Sequence, residues 1–328
     1  SHGGSMRKLV SVIVPCHNRG PLLPLTLESL KGQSVSQKDY EVLVVDDGSS
    51  DSTVRVAEKH AWEQCRYFRR PHYGRASARN YGISQARGEV LIFSDSDSIV
   101  CRDFVHNHLR HYENDSAQAV IGGKQEILTL LPWWMPSWPA AAVLRRIGRR
   151  RPSAYRRAVA ILFHGKLRRV VPMRRIAQYS SYLERNTMPY HLPEPPPGML
   201  TTPIPWIYYV SCNASASREA IEQAGGFDEN FTGWGLEDIE LGFRLHKRGV
   251  RFAYDPAAVN YHQTHALSLR GLNETADRNL RYFARKHPCL EVELHADFVA
   301  GRLSLPDYEA RVAAGRQTPV IKQIGGGS

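Results

Sequence analysis

Carboxylates recur in this chain where apolar runs end. Asp95 and Asp97 stand one residue apart straight after the run at 90–93, and Asp46 and Asp47 close the run at 42–45. Glu237 and Asp238 open a stretch of helical spacing, and His262 and His265 follow a third apolar run. Two carboxylates separated by one residue at a strand end can hold a divalent cation directly or through water, and such a cation neutralises a diphosphate. Alone, an Asp-Ser-Asp triplet is a weak signal, because most such triplets are solvated turns. Asp46–Asp47 can equally be a turn with a helix cap, and Glu237–Asp238 can be ordinary acids in a helix's first turn. The surrounding elements must decide.

Those elements alternate. "KLVSVIVPCHN" reads as a buried strand opening into a loop at Pro15, and "LLPLTLESLKGQ" as a helix stopped by Gly32. "YEVLVVDDGSSDS" is a second strand, with Asp51 or Ser52 capping the helix "TVRVAEKHAWEQ". "CRYFRR" is a third strand, "GRASARNYGISQARGE" a helix stopped by Gly88, and "VLIFSDSD" a fourth strand. Continuous apolar strands alternating with helices imply an α/β protein with a parallel sheet covered on both faces. Ligands of such sheets gather beyond the strands' carboxyl ends. The polar ends at 15–18, 46–47 and 95–97 are therefore expected to share one crevice. Further on, "PWIYYVSCNASASREAIEQAGGFDENF" reads as a strand, a helix and a glycine-rich turn. "GLEDIELGFRLHKRG" is a helix ended by Gly249, "VRFAYDPAAVNYHQTH" a strand, and the chain from Ala266 onward is helical.

Taken in order, "SVIVPCHNRG…LESLKGQ", "EVLVVDDGSSDST", "GRASARNYGISQARGE", "FSDSDSIV" and "GGFDENFTGWGLEDIELGFRLHKRG" resemble the family-2 glycosyltransferases of the GT-A fold, including the bacterial chondroitin-polymerase type. "GWGLED" also resembles the β-1,4-galactosyltransferases, and the layout is similar to that of the polypeptide N-acetylgalactosaminyltransferases. The resemblance covers residues 9–126 and about 206–265. It implies a GT-A, Rossmann-like, mainly parallel sheet, with residues 6–126 holding the nucleotide-sugar and residues 206–265 holding the acceptor and the catalytic helix. Residue by residue, it implies that Pro15 and the loop through Asn18 line the base, that Asp47 accepts the uracil N3–H, and that Arg79 lies by the base or phosphates. Ser96 belongs to the same donor site. Asp97 would bind the metal, Asp95 the ribose or a metal-bound water, and His262 would close the metal shell, with His265 as the other candidate. An accepting anion suits an imide N–H, a hard cation suits a diphosphate, and an imidazole ligand favours Mn²⁺ over Mg²⁺. The resemblance puts the base that deprotonates the acceptor on Asp238, with Glu237 orienting the acceptor and Trp234 as a flat platform for a sugar ring; Trp234 could equally be a core aromatic.

Composition adds limits. An apolar fraction of 42% with 23% charged residues is that of a soluble globular protein long enough for a substantial core. Residues 1–5 read as the remnant of an appended tag, which would start the natural chain at Met6. Five scattered cysteines with no CxxC argue against a disulfide framework or a zinc site and for a reducing, cytoplasmic compartment. The net charge is +11, yet the segment between Glu126 and Glu184 holds eleven arginines, Lys166 and no acid, so the rest of the chain sums to −1. Only that segment needs an anionic partner. Its first 18 residues, 127–144, are uncharged, but Pro132, Pro136 and Pro139 bar a spanning helix. Trp133, Trp134 and Trp138 followed by arginines suit a membrane surface, peripheral on the inner face, with a lipid-linked acceptor. A cradle for an anionic glycan or peptide acceptor, or an oligomerising arm, fits the same residues. No nucleic-acid module accompanies the charge.

The expectation is a metal-dependent glycosyltransferase that inverts the anomeric centre, moving a hexose or N-acetylhexosamine from a UDP-sugar to an acceptor hydroxyl with Mn²⁺ or Mg²⁺. Its rivals are a retaining transferase and a non-catalytic nucleotide-sugar-binding protein tethered by the basic arm (127–205). A C-terminal helical extension (266–328) packs on the body.

Overall fold

The computed structural model describes residues 9–113, 118–127, 129–132, 146, 167–169, 187–189, 194–265 and 269–317. Its first half alternates as β1 (Val10–Cys16), α1 (Leu23–Lys31), β2 (Tyr40–Asp47), α2 (Thr53–Lys59), β3 (Cys65–Arg70), α3 (Arg75–Gln85) and β4 (Val90–Ser94). β2 is buried along its whole length, which is why its sequence is a continuous apolar run instead of an alternation. β1 pairs in parallel with β2 and β4, and β2 with β3, so β1, β2 and β4 all point their carboxyl ends to one side.

The second half adds β5 (Ser98–Val100), α4 (Phe104–Leu109), β6 (Gln118–Ile127), β7 (Leu130–Pro132), β8 (Leu167–Arg169), β9 (Thr187–Pro189) and β10 (Gly198–Met199). Then follow β11 (Asn213–Ser217), α5 (Arg218–Gln223), α6 (Glu237–Lys247) and β12 (Arg251–Gln263), and lastly α7 (Leu269–Lys286), α8 (Leu290–Val299) and α9 (Leu305–Gln317). The main sheet runs β10-β12-β6-β11-β4-β1-β2-β3, with β5 on β12 and β9 on β6. β11 enters antiparallel between β4 and β6, whereas β12 is parallel to β6, giving the mixed, mainly parallel sheet that the motif order implies.

Two cores cover the sheet. Val12, Val14, Val42, Val44, Leu23, Leu27 and Phe104 fill one face, and Ile13, Leu43, Phe93, Trp206, Phe243 and Phe283 fill the other. Buried Glu240 of α6 ties the C-terminal helices to the sheet, meeting Arg244, Lys286 and His287 at 2.7–2.8 Å. Burial alone would raise its carboxyl, but these donors hold it down at about 2.

Several local expectations change. Helix α3 ends at Gln85, before Gly88; a Cβ on Gly88 would lie 2.5 Å from the Ser11 nitrogen, so that glycine permits close approach to β1 instead of stopping a helix. Ser52 makes no side-chain cap; Asp51 accepts from the Thr53 and Gly20 amides. Residues 205–208 form a 3₁₀ turn instead of a strand. Trp133, Trp134, Trp138 and most of the arginine-rich segment lie outside the described residues. Among the described residues, no helix is long and apolar enough to cross a membrane.

Candidate active site

The β4–β5 turn presents Asp97, and β12 brings the histidines to it. β5 pairs antiparallel with β12 with Ser98 opposite His262, and the Gln263 amide donates to the Asp97 carbonyl at 2.8 Å. His265 Nε2 then sits 3.0 Å from Asp97 Oδ2, and His262 Nε2 sits 3.6 Å from Oδ1. One ligand atom from each of the three residues lies within 4.8 Å of the others. Spacing in the sequence separates the two histidines poorly, and the fold brings both. Burial would raise the Asp97 carboxyl, but His262, His265 and Arg19 together hold it well below the usual carboxylate range. Arg19 Nε lies 3.2 Å from Oδ2. Asp97 Oδ1 is buried and accepts no hydrogen bond among the described residues. A buried carboxylate oxygen left open beside two imidazoles is a donor set that fits a Mn²⁺-like ion.

Asp95, expected on the ribose or a metal-bound water, is not a direct member of the metal-ligand group. Its carboxylate faces Arg79, whose Nη2 is 3.4 Å away. Arg79 is buried and spans two acids, with Nη1 2.9 Å from Glu237 Oε1. It thus links the end of β4 to the start of α6, whose Glu237 lies 158 residues from Arg79 in sequence.

Pro15, Asp47, Arg79, Asp95, Ser96 and Asp97 line one cavity of about 220 Å³. Asp47 already accepts from the amides of Tyr73 (2.9 Å) and Gly74 (2.8 Å), and His72 Nδ1 lies 2.8 Å from it. The carboxylate therefore shapes the loop at 72–74 as well as facing the cavity. His17 and His72 stack beside it, ring centroids 4.3 Å apart. Of the loop from Pro15 through Asn18 expected on the base, Pro15, Cys16 and His17 line this cavity and Asn18 does not. At φ 52°, Asn18 accepts at Oδ1 from the Ser50 amide (2.9 Å), which fixes the loop after β2.

Glu237 and Asp238 open α6, after a turn in which Gly233, Gly235 and even Leu236 have positive φ. That backbone is strained at Leu236 and aims both acids at a second cavity of about 290 Å³. One Asp238 oxygen accepts from the Ser211 amide (3.0 Å) and hydroxyl (3.2 Å), the other from the Ile239 amide. Burial and the neighbouring Asp238 charge raise the Glu237 carboxyl, against the pull of Arg79. Trp234 lines this cavity while 41% exposed, so it is no core aromatic. Arg75, Arg79 and Asp95 line both cavities and form the wall between them.

Arg19, His72 and Ser211 escaped the sequence reading. "HNRG" and "RPHYG" offered only loop residues, with no local sign that they face an aspartate 25 or more positions away.

Comparison with known proteins bears on the family and the fold. The family model "Glycosyl transferase family 2" matches residues 11–175, and "N-terminal domain of galactosyltransferase" matches residues 200–266. A validoxylamine A glucosyltransferase of Streptomyces hygroscopicus subsp. jinggangensis is 29% identical over 303 residues, 87% of this chain and 63% of that protein. The chondroitin synthase of Escherichia coli is 24% identical over 86% of this chain and 40% of its own length. The chain thus spans only part of the length of these curated relatives. Among solved structures, GalNAc-T7 with UDP, GalNAc and Mn²⁺ superposes with TM-score 0.53 at 16% identity, covering 95% of this chain and 51% of that one. The mannosyltransferase PcManGT from Pyrobaculum calidifontis, in complex with GDP-Man and Mn²⁺, gives 0.50 at 21% identity, covering 94% and 69%. These structural likenesses establish the GT-A fold. With the family model covering half of the chain, the protein belongs to glycosyl transferase family 2.

Proposed function

We propose that this chain transfers a hexose or N-acetylhexosamine from a UDP-sugar to an acceptor hydroxyl, with inversion at the anomeric carbon. The observation that carries this reading is the shared wall: Arg75, Arg79 and Asp95 border both the cavity holding Asp97 and the cavity holding Asp238. A donor whose diphosphate lies in the first would present its sugar to a hydroxyl in the second. Residues 6–126 then serve the donor and residues 206–265 the acceptor.

Asp97, His262 and His265 would hold a Mn²⁺ or Mg²⁺ ion, which when bound neutralises the leaving diphosphate. Pro15 and Asp47 face the base, Ser96 lies beside the diphosphate, and Asp95 with Arg79 faces the ribose and phosphates. Asp238 takes the acceptor proton; its helix amide and Ser211 leave it positioned without neutralising it. Glu237, pinned by Arg79, orients the acceptor, and Trp234 offers a face to its ring. The arginine-rich stretch within 127–205 is proposed to meet an anionic partner, a membrane surface or an acidic acceptor, on the strength of its charge. The free cysteines support a cytoplasmic setting.

The test is Asp238→Asn. Transfer is expected to vanish while metal-dependent UDP binding stays near wild type, and NMR of the wild-type product is expected to show an inverted anomer. Normal transfer by Asp238→Asn would remove the base assignment.

A further inference from the structure

The second cavity has two chemistries. Glu237, Asp238, Arg79 and Asp95 line it together with an apolar wall of Ile207, Val210, Leu280, Phe298 and Val299. A bare glycan fits that wall poorly, since sugar hydroxyls buried against it would lose water and gain no partner. The apolar lining also reaches solvent. Trp234 and Val299, 41% and 57% exposed, are two of the five exposed large apolar side chains among the described residues, and both line this one cavity. The same Ile207, Val210 and Phe298 also border a smaller cavity of about 60 Å³, so the apolar surface continues beyond them. Two polar side chains interrupt it, exposed Asp277 of α7 and His295 of α8. His295 of α8 is buried, lines the cavity, and has neither ring nitrogen hydrogen-bonded among the described residues. Burial keeps it neutral, its pKa lowered to about 4, so it can donate from one nitrogen and accept at the other.

We infer that the acceptor is an amphiphile: its reacting hydroxyl meets Asp238 while an apolar aglycone bonded to the same ring fills the trough between α7, α8 and the 207–210 turn. His295 hydrogen-bonds the polar atom that joins ring and aglycone. This rests on the transfer reading of the same site and adds the acceptor's class. The extension at 269–317 thereby becomes the part of the chain that selects what is glycosylated.

The experiment uses the full chain with saturating UDP and Mn²⁺. Methyl and octyl β-glycosides of glucose, galactose and N-acetylglucosamine are titrated in pairs by calorimetry, the octyl compounds below their micelle threshold. Octyl glycosides are expected to bind tighter than their methyl partners by about tenfold or more, because methylenes leave water. Val299→Asp, on an exposed position that tolerates a charge, should erase most of that preference with UDP affinity unchanged. His295→Phe, which keeps a ring and removes both nitrogens, should weaken the octyl glycosides about fivefold, the size of one hydrogen bond. Equal affinity of methyl and octyl compounds, no binding of any octyl glycoside by protein that binds UDP, or a preference untouched by Val299→Asp would overturn the inference. Failure to bind UDP with Mn²⁺ would instead overturn the transfer reading itself.

Discussion

The two cavities meet at Arg79 but are built differently. On the Asp97 side, every acid is answered within the protein: Asp97 by Arg19 and two histidines, Asp95 by Arg79, Asp47 by loop amides. On the Asp238 side, Glu237 is answered by Arg79 and Asp238 by Ser211 and Ile239, but the cavity they line has a largely apolar wall to which α7 and α8 contribute. Buried charge is costly unless paired, so the first cavity needs its partners before any ligand arrives. The second differs in its apolar lining. The first arrangement is suited to a fixed, highly charged molecule, the second to a molecule chosen by its outline.

Substitutions can break or sharpen that contrast. The largest effect should come from Asp238→Asn, which is expected to lower kcat by about a thousandfold, within the span of general-base catalysis, while calorimetry finds UDP–Mn²⁺ affinity intact. Glu240→Gln tests whether the acceptor wall depends on its anchor. Glu240 titrates at about 2 when folded against 4.5 for the free side chain, so it contributes about 3 kcal/mol at neutral pH. A depressed carboxyl stabilises above pH 4.5, and that contribution is lost as pH falls toward 2. Urea midpoints of the wild type should therefore fall between pH 5 and 3 more steeply than those of Glu240→Gln. Single substitutions His262→Ala and His265→Ala should each weaken Mn²⁺ by about tenfold or more, measured as free-ion signal in electron paramagnetic resonance, with acceptor binding unmoved. Trp234→Ala should give the smallest change, raising acceptor KM about fivefold with donor KM constant, as loss of one aromatic face predicts.

Sequence made the charged half legible because topology did the placing. β-branched runs at 10–14 and 42–45 can only be buried strands, and parallel strands put Asp47 and Asp97 on one side. Long-range pairing was not readable. Whether His262 or His265 faces Asp97 depends on the β5–β12 register, and the answer is both. The partners of Asp95 and Asn18 were equally unreadable: Asp95 pairs with Arg79, and Asn18 accepts from the Ser50 amide. His295 shows why the apolar half was silent: in "LEVELHADFV" it is one histidine on a helix, and only the packing of α7, α8 and the 205–208 turn makes it part of a wall.

Everything in the donor half depends on three side chains from two distant segments sharing one divalent ion. Titrating Mn²⁺ in the presence of UDP and following free Mn²⁺ by electron paramagnetic resonance tests this directly. The account predicts one tight Mn²⁺ per wild-type chain and none in the triple variant Asp97→Asn, His262→Ala, His265→Ala, with its fold confirmed by circular dichroism. A folded triple variant that still takes up Mn²⁺ and UDP like the wild type would contradict it.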